Sequence, residues 1–258
     1  MASSTSSVGP GKELQGKVAL ITGAGRNIGA ATAHALAQGG AAVAINTRAS
    51  REDAERVAQE VRAAGGQAEV FMADIADGAA VRTMVDGVLK RFGRVDLLVL
   101  NASVRTERPF LELEYEEWRT PLAITLDGAF YLAKACVPEM IKAGGGSIVT
   151  LGGMVSLSGA ARRVHGSVAK HGLVGFTRAI ARELGPQGIR ANCVAPGTMN
   201  TVRANARSAR PDVSKTVPIG RMGEAEEIAT TVRFLCGPGA SYITGQTLHV
   251  NGGGFLNP

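Results

Sequence analysis

The sequence predicts an α/β domain: one doubly wound unit built on a seven-stranded parallel sheet with helices on both faces. Two observations predict it. Short β-branched runs alternate with longer stretches of helical pattern along the chain, and such alternation requires right-handed crossovers and a covered parallel sheet. The run Leu97-Leu98-Val99-Leu100 is also apolar throughout, as a strand buried on both faces must be. Strands are expected at 17–22, 42–46, 68–73, 95–101, 147–151, 189–194 and 247–250. The intervening helices are expected at 28–38, 51–64, 78–92, 121–142, 165–184 and 224–235. A Ser/Gly-rich stretch, 1–16, reads as a flexible leader, and 17–258 as a single domain without a linker or repeat.

Composition narrows the class. The 258 residues are 45% hydrophobic and 19% charged, a balance that excludes a disordered or fibrous chain. A domain of this size buries enough surface to fold without a disulfide or a metal. Cys136, Cys193 and Cys236 stand far apart, with no C-x-x-C pair and no His/Cys cluster. Reduced thiols, a cytoplasmic location and no metal site are therefore expected. No stretch approaches the ~18 apolar residues of a membrane span, and the N-terminus lacks the apolar region of a signal peptide. The formal charge is +6, with Lys and Arg scattered rather than in runs. That fits an anionic small ligand or a merely soluble basic surface better than it fits nucleic acid.

The first strand, Val18-Ala19-Leu20-Ile21, runs into Thr22-Gly23-Ala24-Gly25-Arg26-Asn27-Ile28-Gly29 and then an Ala-rich helix. A strand, a glycine turn and a helix N-terminus form a Rossmann-like phosphate-binding arrangement. The glycines admit a pyrophosphate to the backbone, and free helix N–H groups hold its charge. A site for NAD usually carries Asp or Glu at the end of the second strand to bond the ribose 2′-hydroxyl. Here that end reads Ile45-Asn46-Thr47-Arg48. Arg48 and Arg26 can pair with a 2′-phosphate through the guanidinium fork, so NADP(H) is the expected cofactor. The alternative is two solvated arginines and a site that accepts either nucleotide.

With these residues in view, the chain resembles the short-chain dehydrogenase/reductase family over nearly its whole length. Asp74, followed by Ile75, resembles the family's adenine-contacting acid. Asn101-Ala102-Ser103 is similar to its Asn-Ala-Gly after the fourth strand. Ala195-Pro196-Gly197, with Thr198 and Thr201, resembles the segment that contacts the nicotinamide. Ile243-Thr244-Gly245-Gln246 and Val250-Asn251-Gly252-Gly253 resemble its C-terminal signature. Asn27 stands where the family has a second glycine, a mild departure because Asn tolerates positive φ best among the other residues. The resemblance also implies a homotetramer or homodimer.

The catalytic end departs further. The family works with Asn, Ser, Tyr and Lys. The resemblance places Lys170 at the lysine that holds the nicotinamide ribose. It places Gly166 at the tyrosine, Gly153 at the serine and Thr125 at the asparagine. His165 adjoins the empty tyrosine position but is rotated ~100° from it on a helix, so it is expected to face elsewhere. Ser167 reads as packing. Arg163 lies seven residues before Lys170 and shares its face if the helix starts early enough; with Arg162 and Arg105 it can line the mouth for an anionic substrate or be solvated. Neither Tyr115, Tyr131 nor Tyr242 is placed to supply the phenol. A substrate lid is expected near 198–220, carrying Arg203, Arg207, Arg210 and Lys215.

A positioned general acid contributes ~10²–10⁴-fold and an oxyanion donor ~10²–10³-fold. Without both, ordinary ketone reduction is crippled while hydride positioning survives. The expectation is an NADP(H)-dependent reductase with a non-standard proton donor, reducing C=N or conjugated C=C/C=O in a small, anionic or bulky organic substrate. The alternatives are a non-redox enzyme on the same fold and a catalytically silent nucleotide-binding subunit.

Overall fold

The computed structural model describes residues 11–202 and 212–256. Seven strands form one parallel sheet: β1 (Val18–Ile21), β2 (Ala42–Thr47), β3 (Gln67–Met72), β4 (Leu97–Leu100), β5 (Gly146–Leu151), β6 (Ile189–Pro196) and β7 (Thr247–Val250). Their order is β3-β2-β1-β4-β5-β6-β7. Chain direction across the sheet therefore reverses between β1 and β4, and ligands in such sheets bind outside the strand carboxyl ends at that switch point.

The helices are α1 (Asn27–Gln38), α2 (Arg51–Ala63), α3 (Gly78–Phe92), α4 (Tyr115–Leu122), α5 (Gly128–Lys142), α6 (Val155–Ser158), α7 (Val164–Leu184) and α8 (Ala225–Cys236). They cover both faces because neighbouring strand residues point to opposite sides. Ile21, Val43 and Val99 pack with Leu36 of α1, Val57 of α2 and Val232 of α8. Leu20, Leu98 and Ile148 pack with Met84 of α3, Leu132 of α5 and Leu173 of α7. Ends follow local chemistry: the Asp77 carboxylate accepts from the N–H groups of Ala79 and Ala80, and Gly93 closes α3 with φ 79°. Both are the expected terminators.

Two expectations need correction. The leader is not flexible over 11–16: Leu14 is buried in the core, its N–H donates to Gly39 O, and Glu13 pairs with Arg233 at 2.6 Å. The reason is an apolar side chain in an otherwise polar stretch, which docks on α1 and α8. The single helix expected at 121–142 is two helices joined by a π-turn, Ala123–Asp127, and it begins earlier, at Tyr115 behind a Glu114–Glu117 capping box. Of the lid expected near 198–220, Arg203, Arg207 and Arg210 lie outside the described residues, while Lys215 is exposed. Among the described residues no helix is long and apolar enough to cross a membrane, and no His/Cys/Asp/Glu group is arranged to hold a metal.

Candidate active site

The turn between β1 and α1 is built so that backbone alone lines it. Gly23 has φ 62°, and a Cβ there would stand 3.0 Å from Ala102 Cα. A Cβ at Gly29 would stand 2.3 Å from Gly23 O, and one at Gly25 3.3 Å from Ala54 N. Helix α1 starts at Asn27 with no side-chain cap and no acidic residue in its first turn. Its leading N–H groups and dipole are thus left for an anion. Arg26 is exposed at the cap position, and Ile28 packs back on the core.

Asn101 fixes this turn from the switch point. Its Nδ2 donates to Thr22 O at 2.8 Å and Gly23 O at 3.0 Å, while its own N–H and that of Ala102 donate to Thr22 Oγ1. Ser103 follows on the loop, with Ala102 half-buried. Asn46 is buried and its Nδ2 donates to Phe71 O and Ala73 O, and Thr47 is also buried. Asn46 therefore braces the sheet edge. Arg48 remains exposed, 3.5 Å from Asp74, whose other contact is the N–H of Ala76. Ile75 is buried against Gly128.

On the far side, Gly197 lies so close to Asn251 that a Cβ would stand 2.6 Å from its Cα. Thr198 O accepts from Gly223 N and Thr201 N donates to Met199 O. This segment after Pro196 is thereby pinned to the start of α8. Val202 continues to Asn27, whose carboxamide exchanges two hydrogen bonds with it, at 2.9 and 3.0 Å.

The catalytic end centres on Lys170 in α7. Its Nζ donates to Leu151 O at 2.5 Å, at the carboxyl end of β5. Burial, with the nearby Arg163 charge, pushes its pKa down to about 8, while Cys193 pulls the other way. A Cβ at Gly166, one turn earlier, would meet nothing within 4 Å. Gly153 is half-buried just past β5, and Thr125 is buried in the π-turn.

His165 does not sit as a surface helix-start residue. It is buried, and its Nε2 lies 2.6 Å from Thr106 Oγ1 on the loop after β4. Rotation by one residue aims it at that loop, which overhangs the strand ends. Arg163 caps α7 rather than sharing a helical face with Lys170, yet its charge reaches both Lys170 and His165. Arg105 bonds Glu107 at 2.9 Å. Tyr131 packs over Gly78, and Tyr115 and Tyr242 are exposed. Thr106, Val202 and Cys193 were not legible as site residues; nothing in their local pattern marks them.

Residues 23–254 match the sequence profile of a family described as enoyl-(acyl carrier protein) reductase. The 3-oxoacyl-[acyl-carrier-protein] reductase FabG of Salmonella typhimurium is 38% identical over 245 residues, covering 94% of this chain and 99% of that protein. FabG of Escherichia coli matches to the same extent, 38% over 245 residues. A short chain dehydrogenase from Burkholderia cenocepacia J2315, solved in complex with NADP, superposes with a TM-score of 0.88 at 35% identity, over 94% of this chain and 99% of that one. The chain belongs to the short-chain dehydrogenase/reductase family. As an oxidoreductase of that family it brings the glycine turn, Asn101 and Lys170 to the carboxyl edge of its sheet, the edge at which open sheets of this kind bind ligands.

Proposed function

We propose that the chain is an NADP(H)-dependent reductase that passes hydride to a small organic substrate with no tyrosine phenol or serine hydroxyl at the reacting atoms. The observation that carries this reading is the open space at Gly166, one helical turn before a half-buried, hydrogen-bonded Lys170. The family's tyrosine and serine positions hold Gly166 and Gly153, and its asparagine position holds Thr125.

The residues present fit the dinucleotide. A Cβ at Gly23, Gly25 or Gly29 would fill the cradle, and α1 offers an end free of carboxylate. Gly23, Gly25, Asn27, Ile28 and Gly29 would hold the pyrophosphate, and Arg26 and Arg48 the 2′-phosphate. Thr47, Asp74 and Ile75 would flank the adenosine half, with Asn46 bracing them. Asn101, Ala102, Ser103, Lys170, Pro196, Gly197, Thr198 and Thr201 would flank the nicotinamide half. The nicotinamide supplies the hydride when bound. The Burkholderia relative binds NADP, which supports the same cofactor here.

Without a phenol, the favoured acceptors are those that need little help: an iminium, already protonated, or a conjugated C=C/C=O that takes its proton from water or a neighbouring side chain. Arg163, Arg162 and Arg105 favour an anionic substrate, and the open space at Gly166 favours a bulky one. The FabG relatives are 3-oxoacyl-[acyl-carrier-protein] reductases by name, which makes carrier-linked acyl groups the first class to try. The exposed apolar residues Phe110, Leu111, Tyr115 and Phe130 support a homodimer or homotetramer, and the location proposed is cytoplasmic.

The test is NADPH consumption, followed at its absorbance, with a 3-oxoacyl thioester, an enoyl thioester and a cyclic imine. Steady oxidation with one of them is expected. Product formed while NADPH is bound and not consumed would mean a non-redox enzyme, and binding with no turnover a silent subunit. Gly166→Tyr sharpens the reading: a gain of ketone reduction places the substituted ring at the reacting atoms, whereas no effect of any kind sinks that placement.

A further inference from the structure

We infer that Asn27 is a positioning residue that clamps the segment after β6 across the pyrophosphate cradle and thereby slows release of NADP(H). The clamp rests on the cofactor reading above. Asn27 occupies the position where the family has glycine, and it does so at φ 51°, in the left-handed region. Glycine adopts that conformation at no steric cost, so conformation alone gives no reason for an amide side chain here.

The side chain supplies something glycine lacks. Asn27 Nδ2 donates to Val202 O at 2.9 Å, and Val202 N donates back to Asn27 Oδ1 at 3.0 Å. The carboxamide therefore pairs with a distant backbone as a neighbouring strand would. The partners are separated by 175 residues in sequence.

The path of the segment makes this contact a strap. In the sheet, β1 and β6 are separated by β4 and β5, three strand spacings or roughly 14 Å. Val202 lies six residues past the end of β6 at Pro196, a reach of at most ~20 Å. To meet the turn after β1, residues 197–202 must run back along the carboxyl edge of the sheet. At its other side the segment is fastened to the start of α8: Gly223 N donates to Thr198 O, Asn200 N to Gly223 O, and Asn200 Nδ2 to the Glu224 carboxylate. A dinucleotide lying along the strand ends then has the glycine turn on one side and this fastened strap on the other. The Asn27–Val202 pair is exposed to water and so opens at small cost.

Release of NADP(H) is therefore coupled to breaking two side-chain hydrogen bonds. The experiment is stopped-flow fluorescence of NADPH displaced from the full chain by excess NADP⁺. For Asn27→Gly, which keeps the backbone conformation, the dissociation rate is expected to rise about tenfold, as loss of two neutral hydrogen bonds implies. Val202→Pro removes the Val202 N–H donor and approaches the same contact from the other side. The two changes together should raise the rate by less than the product of their separate effects, because both break one contact. Release from Asn27→Gly within twofold of the unaltered chain, or fully multiplicative effects, would overturn the clamp alone. No fluorescence change on adding NADPH to the unaltered chain would overturn the cofactor reading and the clamp with it.

Discussion

His165 Nε2 and Thr106 Oγ1 lie 2.6 Å apart, and this contact ties the first turn of α7 to the loop that leaves β4. The contact joins residues that are 59 positions apart in the chain. The other ring nitrogen, Nδ1, is buried with no partner among the described residues. Thr106→Val keeps the shape and removes the hydroxyl that Nε2 meets. A loss of about 1–3 kcal/mol is expected, read as a lower melting temperature.

The same histidine predicts a pH dependence. Burial and then Arg163 hold its pKa below the ordinary 6.5, against the opposing pull of Glu117 and Thr106. The unfolded chain therefore takes up this proton first as the pH falls. Its contribution to stability is complete above 6.5 and is lost as the pH drops from 6.5 toward the lower folded value. Melting temperatures between about pH 7.5 and 5.5 should fall more steeply for the unaltered chain than for His165→Gln. Equal slopes would remove His165 from the account.

Lys170 titrates at the other side of neutrality. With its pKa pushed down to about 8, the ammonium that donates to Leu151 O gives way to a neutral amine as the pH rises. If that ammonium also holds the nicotinamide ribose, NADPH affinity weakens as the pH rises through about 8. Equilibrium titrations should show this trend, and Lys170→Met should bind weakly with a flat profile. A Lys170→Met profile that still bends near the same pH would assign the titration elsewhere.

Gly29 admits no side chain. A Cβ there would stand 2.3 Å from Gly23 O, 2.7 Å from Asn101 Nδ2 and 2.8 Å from Ala24 Cα. Two of the three obstacles are backbone, so the turn must open. Gly29→Ala is expected to destabilise by about 2 kcal/mol or more, as overpacking does, and to abolish NADPH binding. Retained binding at unchanged stability would contradict the packing of the cradle.

Asp96 is the buried charge that holds the opposite end of the sheet. It is 1% exposed and accepts from Arg94 at 2.8 Å, Lys17 at 3.1 Å and the N–H of Val18 at 3.0 Å. Burial raises its pKa, but these donors outweigh it and hold the carboxyl below 3.8. Its stabilisation is present above 3.8 and lost as the pH falls through the folded value. Asp96→Asn should cost about 2 kcal/mol at neutral pH, the scale of a charge-assisted hydrogen bond partly screened by water at Lys17 and Arg94. It should leave NADPH binding intact, because the site lies at the carboxyl edge.

Much of the fold was legible because its signals are local. Leu97–Leu100 is apolar throughout and buried throughout. Helix α3 carries an Asp before it and a Gly after it, as its ends require. The break in the helix near Thr125 was not legible, because a single π-turn is short and no residue type marks it. The bracing by Asn46 was not legible for another reason. A polar residue at a strand end has the same sequence signature whether it faces a ligand or a neighbouring strand, and here it bonds the carbonyls of Phe71 and Ala73.

The amino-acid sequence by itself determined the alternation of strands and helices, the glycine turn and the position of Lys170. The first two follow from periodicity and from φ preferences that act within a few residues, and the third from the family resemblance. Only the tertiary structure decided that Leu14 belongs to the core, that His165 faces Thr106 and that Asn27 grips Val202. Those contacts join residues far apart in the chain, and which side chain meets which depends on crossover paths and strand order. No local pattern of residues specifies them.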